Sequence, residues 1–87
     1  MTQETVKADT LIGERVRIVV KETPCIVRVN EYHPLTETVE GVVLRILSAA
    51  GGPIMLLRAD DGKCYAIDVG FDVKLGKIEI ELIDLTD

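Results

Sequence analysis

Aromatic side chains are almost missing from this chain: there is no Trp, and Tyr32, Tyr65 and Phe71 are all the aromatics among 87 residues. Its core cannot be built around stacked rings. Val, Ile and Leu must fill it, and β-branched aliphatics at that density favour strands. The same scarcity removes the row of platforms on which single-stranded nucleic acid stacks.

Cysteine and histidine are as sparse. Cys25 and Cys64 form no Cys-x-x-Cys pair and His33 is the sole histidine, so neither zinc-ribbon spacing nor a thiol redox motif is present. The expectation is two buried free thiols, no metal and no cofactor. Basic residues are outnumbered, ten against fifteen acids for a net charge of −5, which disfavours non-specific attraction to phosphate backbones and to anionic membranes. The longest uncharged run, 46–57, is interrupted by Gly51-Gly52-Pro53 and is too short to cross a bilayer. No basic segment followed by an apolar one opens the chain. The expectation is a cytoplasmic protein with no membrane partner.

What the chain does have is a hairpin signal. Ile54-Met55-Leu56-Leu57 and Cys64-Tyr65-Ala66-Ile67 flank Asp60-Asp61-Gly62, and an Asp-Gly pair between apolar runs is the strongest short-range mark of two antiparallel strands. A chain of this length has room for one core. Residues 1–12 read as a tail or a short helix over 4–11, and 13–87 as one β domain. Residues 15–21 alternate, placing Val16, Ile18 and Val20 on one face against Arg15, Arg17 and Lys21. Residues 25–30 follow Pro24 and read as a short edge strand. Residues 38–47 read as a long strand, with Val42, Leu44 and Ile46 on one face, Val39, Val43 and Leu47 on the other, and Gly41 at a bend. In 77–85, Ile78, Ile80 and Leu82 face inward while Glu79 and Glu81 face water.

Short loops, a bent central strand and a leading segment imply an all-β fold: a small, strongly bent antiparallel barrel of five or six strands. The expected core is Val16, Ile18, Val20, Val42, Leu44, Ile46, Leu56, Ile67, Ile78, Ile80 and Leu82. The sequence order of Leu11-Ile12-Gly13-Glu14-Arg15-Val16-Arg17-Ile18, Val39-Glu40-Gly41-Val42-Val43-Leu44, Ile54-Met55-Leu56-Leu57 before Asp60-Asp61-Gly62, and Lys77-Ile78-Glu79-Ile80 resembles the Sm-like barrel. It looks most like the C-terminal barrel of ribosome maturation factor P and the stand-alone bacterial Sm-like proteins. The resemblance implies RNA association, but the Asp, Asn and Arg-Gly residues of the Sm RNA pocket have no counterparts in 47–53 or 69–76, and 23–38 is longer than the usual first hairpin.

Individual residues have structural readings beside the functional ones. Asp60 and Asp61 read as the hairpin tip rather than a metal or catalytic pair. Cys25 and His33 lack an orienting acid, and His33-Pro34 reads as a turn rather than a catalytic element. The glycines of 50–53 read as a hairpin loop, since no lysine or helix follows as a phosphate loop requires. Phe71 reads as a plug for the barrel or as an exposed contact. Arg15, Arg17, Arg28, Arg45 and Arg58 make a basic stripe if the sheet gathers them, and a salt-bridged face otherwise.

The functional expectation is a non-enzymatic binding module that works through protein–protein contacts as a homo-oligomer or with an unidentified protein partner. Apolar side chains on both faces of 39–47 and 54–59 require a cover, and a second copy meeting Leu47, Met55 and Leu57 is the expected one. The alternative is an Sm-like nucleic-acid-binding protein using Arg45, Arg58 and Phe71.

Overall fold

A computed structural model describes residues 11–83, and it shows a small all-β fold. Its strands are β1 (Arg15–Val20), β2 (His33–Pro34), β3 (Val39–Ala49), β4 (Gly52–Ala59) and β5 (Cys64–Asp68); a short helix α1 (Phe71–Lys74) precedes β6 (Ile78–Leu82). They form a single sheet in the order β2-β5-β4-β3-β1-β6. Every pairing is antiparallel except β2 with β5, where His33 lies opposite Tyr65 in parallel register. β2 and β6 are therefore the two edges, and the sheet is mixed and open rather than a closed antiparallel barrel.

The sheet curls because one of its faces has to enclose a core by itself. Val16 and Ile18 of β1, Val43 of β3, Met55, Leu57 and Ala59 of β4, Tyr65 and Ile67 of β5 and Ile78 of β6 all meet in one buried cluster with Leu35 and Val69. Strands as far apart in the sheet as β5 and β6 share that cluster, which a flat sheet does not allow. Gly41 makes the tightest part of the bend possible: a Cβ there would lie 2.1 Å from the Arg58 carbonyl oxygen and 2.7 Å from the Ala59 Cα. Any side chain at that position forces β3 away from β4.

A β-bulge between Val43 and Arg45 resets the alternation of β3. Leu44 is the extra residue, so Val43 and Ile46, three apart instead of two, pack on the same main core. This corrects the expected grouping of Val42, Leu44 and Ile46: Val43 is the buried residue of this stretch, and Leu44 packs on the opposite face. Val20 and Ile80 are only partly buried beside the core, and Leu82, opposite Val16 on the open edge strand, is 59% exposed.

The opposite face of β4 and β5 carries a second cluster of Ile54, Leu56 and Ala66, and its cover is Val27, Val29 and Tyr32 together with Leu44 and Leu47. The cover thus comes from within the chain. The expected edge strand at 25–30 is not formed, although the segment alternates, with Val27 and Val29 turned in and Ile26, Arg28 and Asn30 out. The segment lies over the sheet face instead of pairing at its edge, and it closes with a turn in which the Tyr32 amide donates to the Val29 carbonyl and Glu31 takes a positive φ of 69°. The need for a second copy at Leu47, Met55 and Leu57 is corrected accordingly: Met55 and Leu57 are fully buried in the main core, and Leu47 is partly buried against the second cluster. The expected helix at 4–11 lies outside the described residues.

Leu57 is a core residue, so Leu57→Ala should lower stability by about 2–5 kcal/mol, and Leu57→Lys should unfold the chain rather than dissociate an assembly. Gly41→Ala should destabilise strongly although it adds a single carbon. Urea unfolding followed by far-UV dichroism reads all three, and near-wild-type midpoints would contradict the packing described.

Candidate functional site

The turn from β5 to β6 gathers the groups of greatest chemical interest. Asp68, the last residue of β5, accepts hydrogen bonds on Oδ1 from the backbone amides of Gly70 at 3.0 Å and Phe71 at 2.9 Å. These bonds satisfy donors that open the turn, as a capping side chain does. Gly70 lies against the β3–β4 hairpin, where a Cβ would come within 3.0 Å of the Pro53 ring. At the other end Gly76 takes a φ of +75°, its amide donates to the Val73 carbonyl at 3.1 Å, and the Lys77 amide donates to the Asp72 carbonyl at 2.9 Å. This glycine-terminated motif uses up the carbonyls that close a helix.

Asp72 points inward from α1 and is 0% exposed, the one buried charged residue among those described. Its Oδ2 accepts the backbone amide of Cys25 at 2.9 Å, which pins the start of the covering segment, just after buried Pro24, to the α1 turn. Its Oδ1 has no hydrogen-bond partner among the described residues. The Cys25 thiol, a carboxylate oxygen of Asp68 and one of Asp72 all lie within 4.8 Å of one another. The interaction with the Asp72 carboxylate, ahead of burial, raises the Cys25 thiol above its ordinary pKa; Asp68 adds to this and Lys77 opposes it. With the two carboxylates outweighing Lys77, the thiolate form that a nucleophile needs is disfavoured.

While Asp72 turns in, its neighbours turn out: Phe71 is 50% exposed, Val73 38% and Leu75 51%. Phe71 is thus exposed and does not plug the core. Ile26, next to the pinned Cys25, is 69% exposed.

The remaining expected site residues are spread elsewhere. His33 stands on edge strand β2 with its ring 5.9 Å from that of Tyr65, while Cys25 faces the two aspartates, so the catalytic pairing is not assembled. Both cysteines are free and only half-buried. Asp60 and Asp61 form the expected turn: the Asp61 carboxylate accepts the Lys63 amide at 2.8 Å and Gly62 takes a φ of +90°. The arginines do not make one stripe. Arg15 makes a bidentate pair with Asp60 and approaches Glu40 at 3.6 Å, and Arg17 bonds Glu40 at 2.7 Å and Glu81 at 3.0 Å. Lys21 bonds Glu79 at 2.7 Å. Arg28, Arg45 and Arg58 are exposed and make no ion pair among the described residues; Arg28 lies on the covering segment instead of a strand.

Neither a family model nor a curated protein nor a solved structure matches this chain.

Reading the sequence missed Asp68 and Asp72. Asp68 left a signal, an aspartate two residues before a glycine at the end of an apolar strand, which is the pattern of a side chain bonding its own downstream amides. Asp72 left none, because a helix of four residues has too few positions to show which face is inward.

Arg15 holds the Asp60 carboxyl below the ordinary range, chiefly through the hydrogen bonds between them. A lowered folded-state pKa gives stability that is complete above the unfolded value of about 3.9 and is lost as the pH falls through the folded pKa. The pair is exposed, so the effect on stability is small. Carboxyl-detected NMR titration should find Asp60 titrating below that value in the wild type and returning toward it in Arg15→Ala; an unchanged midpoint would contradict the pairing.

Proposed function

We propose that this chain is a non-enzymatic binding module that acts through protein–protein contacts as a homo-oligomer, with the α1 turn as its contact surface. The observation that carries the reading is the exposure of Phe71, Val73 and Leu75 on a turn whose backbone is tied down from both sides. Exposed large apolar groups are a liability unless a partner covers them. Held on a capped turn with its carbonyls satisfied, they lose little freedom on binding, so more of the burial energy goes into affinity. An exposed aromatic ring such as Phe71 is of the type enriched at interfaces. A second copy is the partner favoured here, because a two-fold axis lets the same small apolar surface cover itself.

The chemistry supports a binding role over a catalytic one. The neighbouring carboxylates raise the Cys25 thiol above its ordinary pKa, and His33 stands against Tyr65 on edge strand β2 instead of beside Cys25. A groove of about 400 Å³ between the end of β1 and the covering segment is lined by Val20, Pro24, Ile26, Leu35 and their polar neighbours Lys21, Glu22, Thr23 and Thr36, with no nucleophile and base set against each other.

Sedimentation equilibrium tests the reading. The wild type should have a mass that is a multiple of 9.6 kDa through micromolar dilution, and Phe71→Asp or Leu75→Lys should reduce it to one chain while leaving the far-UV spectrum unchanged. A wild-type monomer at high concentration contradicts the homo-oligomer.

The Sm-like nucleic-acid-binding alternative retains Arg45, Arg58 and Phe71 as contacts. Arg15, Arg17 and Lys21 are engaged in ion pairs, the net charge of −5 opposes attraction to phosphates, and the three aromatics are dispersed. Single-stranded RNA at physiological salt should therefore bind no more tightly than about 10⁻⁴ M by fluorescence anisotropy. Micromolar binding abolished by Arg45→Ala or Phe71→Ala would favour the alternative.

A further inference from the structure

We propose that Cys25, Asp68 and Asp72 form a site for one divalent cation of the zinc class. The three ligand atoms already lie within 4.8 Å of one another, and they come from the covering segment, the end of β5 and α1. A tetrahedral ion with ligands at about 2.0–2.3 Å brings such atoms to roughly 3.5 Å apart, so closure takes a movement of about 1 Å. The proposal concerns the inner side of the α1 turn and does not depend on what its outer side contacts.

The buried oxygen sets this cluster apart from an ordinary group of surface acids. Asp72 is 0% exposed and its Oδ1 has no partner among the described residues, whereas buried polar atoms are nearly always satisfied. Its other oxygen is taken by the Cys25 amide, and Oδ1 of Asp68 by the amides of Gly70 and Phe71. Each carboxylate is thus fixed through one oxygen and has the other to offer, as metal-binding carboxylates held by neighbouring hydrogen bonds do.

The ligand set indicates the ion. A thiolate with two carboxylates suits zinc or cobalt(II) and is a poor match for magnesium or calcium, which take oxygen ligands alone. Binding releases the Cys25 proton to solvent and leaves a coordination position for water, since three protein ligands do not complete a tetrahedron. The ion would join three segments that are distant in sequence.

Cobalt(II) reports on this directly. Titrating the reduced chain with cobalt chloride near neutral pH should produce a thiolate-to-cobalt charge-transfer band that saturates at one ion per chain and is displaced by zinc. Cys25→Ser keeps the backbone amide that Asp72 holds; it should abolish the band and weaken binding about tenfold or more. Asp72→Asn keeps an acceptor for that amide, removes the charged ligand and should weaken binding likewise, while Cys64→Ser should leave the titration unchanged. No band at millimolar cobalt, a band that survives Cys25→Ser, or one that vanishes in Cys64→Ser overturns the proposal.

Discussion

Ile54, Met55, Leu56 and Leu57 are buried one after another on β4, and a strand with consecutive buried residues needs a dry cover on both faces. Sheets met with covers on both sides are usually the centre of a layered α/β domain, for which this chain is too short. The demand is met in two ways. Met55 and Leu57 are enclosed by the sheet's own curl, which Gly41 and the bulge at Leu44 permit. Ile54 and Leu56 are enclosed by residues 27–32, a length of chain that contributes two short alternating aliphatics and a tyrosine instead of a helix.

A cover without ladder hydrogen bonds has to be fastened at its ends. At one end β2 pairs with β5 through His33 and Pro34; at the other the buried Asp72 carboxylate receives the Cys25 amide. Burying a charge is costly unless it is well partnered, and this one is half partnered. The fastening therefore explains the unusual chemistry of the α1 turn, with an anion and a thiol drawn inward and Phe71, Val73 and Leu75 turned outward. Outside the turn, the chain of charges from Asp60 through Arg15, Glu40 and Arg17 to Glu81 crosses the opposite surface. Exposed pairs of this kind add little stability, but they neutralise Arg15 and Arg17, two of the cations on which a nucleic-acid surface would draw.

Much of the sheet was legible in the sequence. The alternation of 15–20 and 78–82 and the Asp-Gly turn between β4 and β5 marked four of the strands, because those patterns reflect period-two burial and a left-handed glycine at Gly62. The order of faces in β3 was not legible, since one bulged residue inverts the pattern beyond Leu44 without changing its composition. The role of 25–30 was half legible: Val27 and Val29 do alternate, but alternation reports a buried face and not what lies on it. The site was least legible. Cys25 is separated from Asp68 and Asp72 by most of the sheet, and only folding puts them together.

The fastening of the covering segment by Asp72 is tested most directly by amide hydrogen exchange resolved by residue, compared between wild type and Asp72→Ala. In the wild type the Cys25 amide should exchange as slowly as amides of β4 and β5. In the variant, protection should disappear from residues 25–32 while the β4–β5 ladder keeps most of its own. A Cys25 amide that exchanges freely in the wild type, or a covering segment equally protected without the Asp72 carboxylate, would contradict the account.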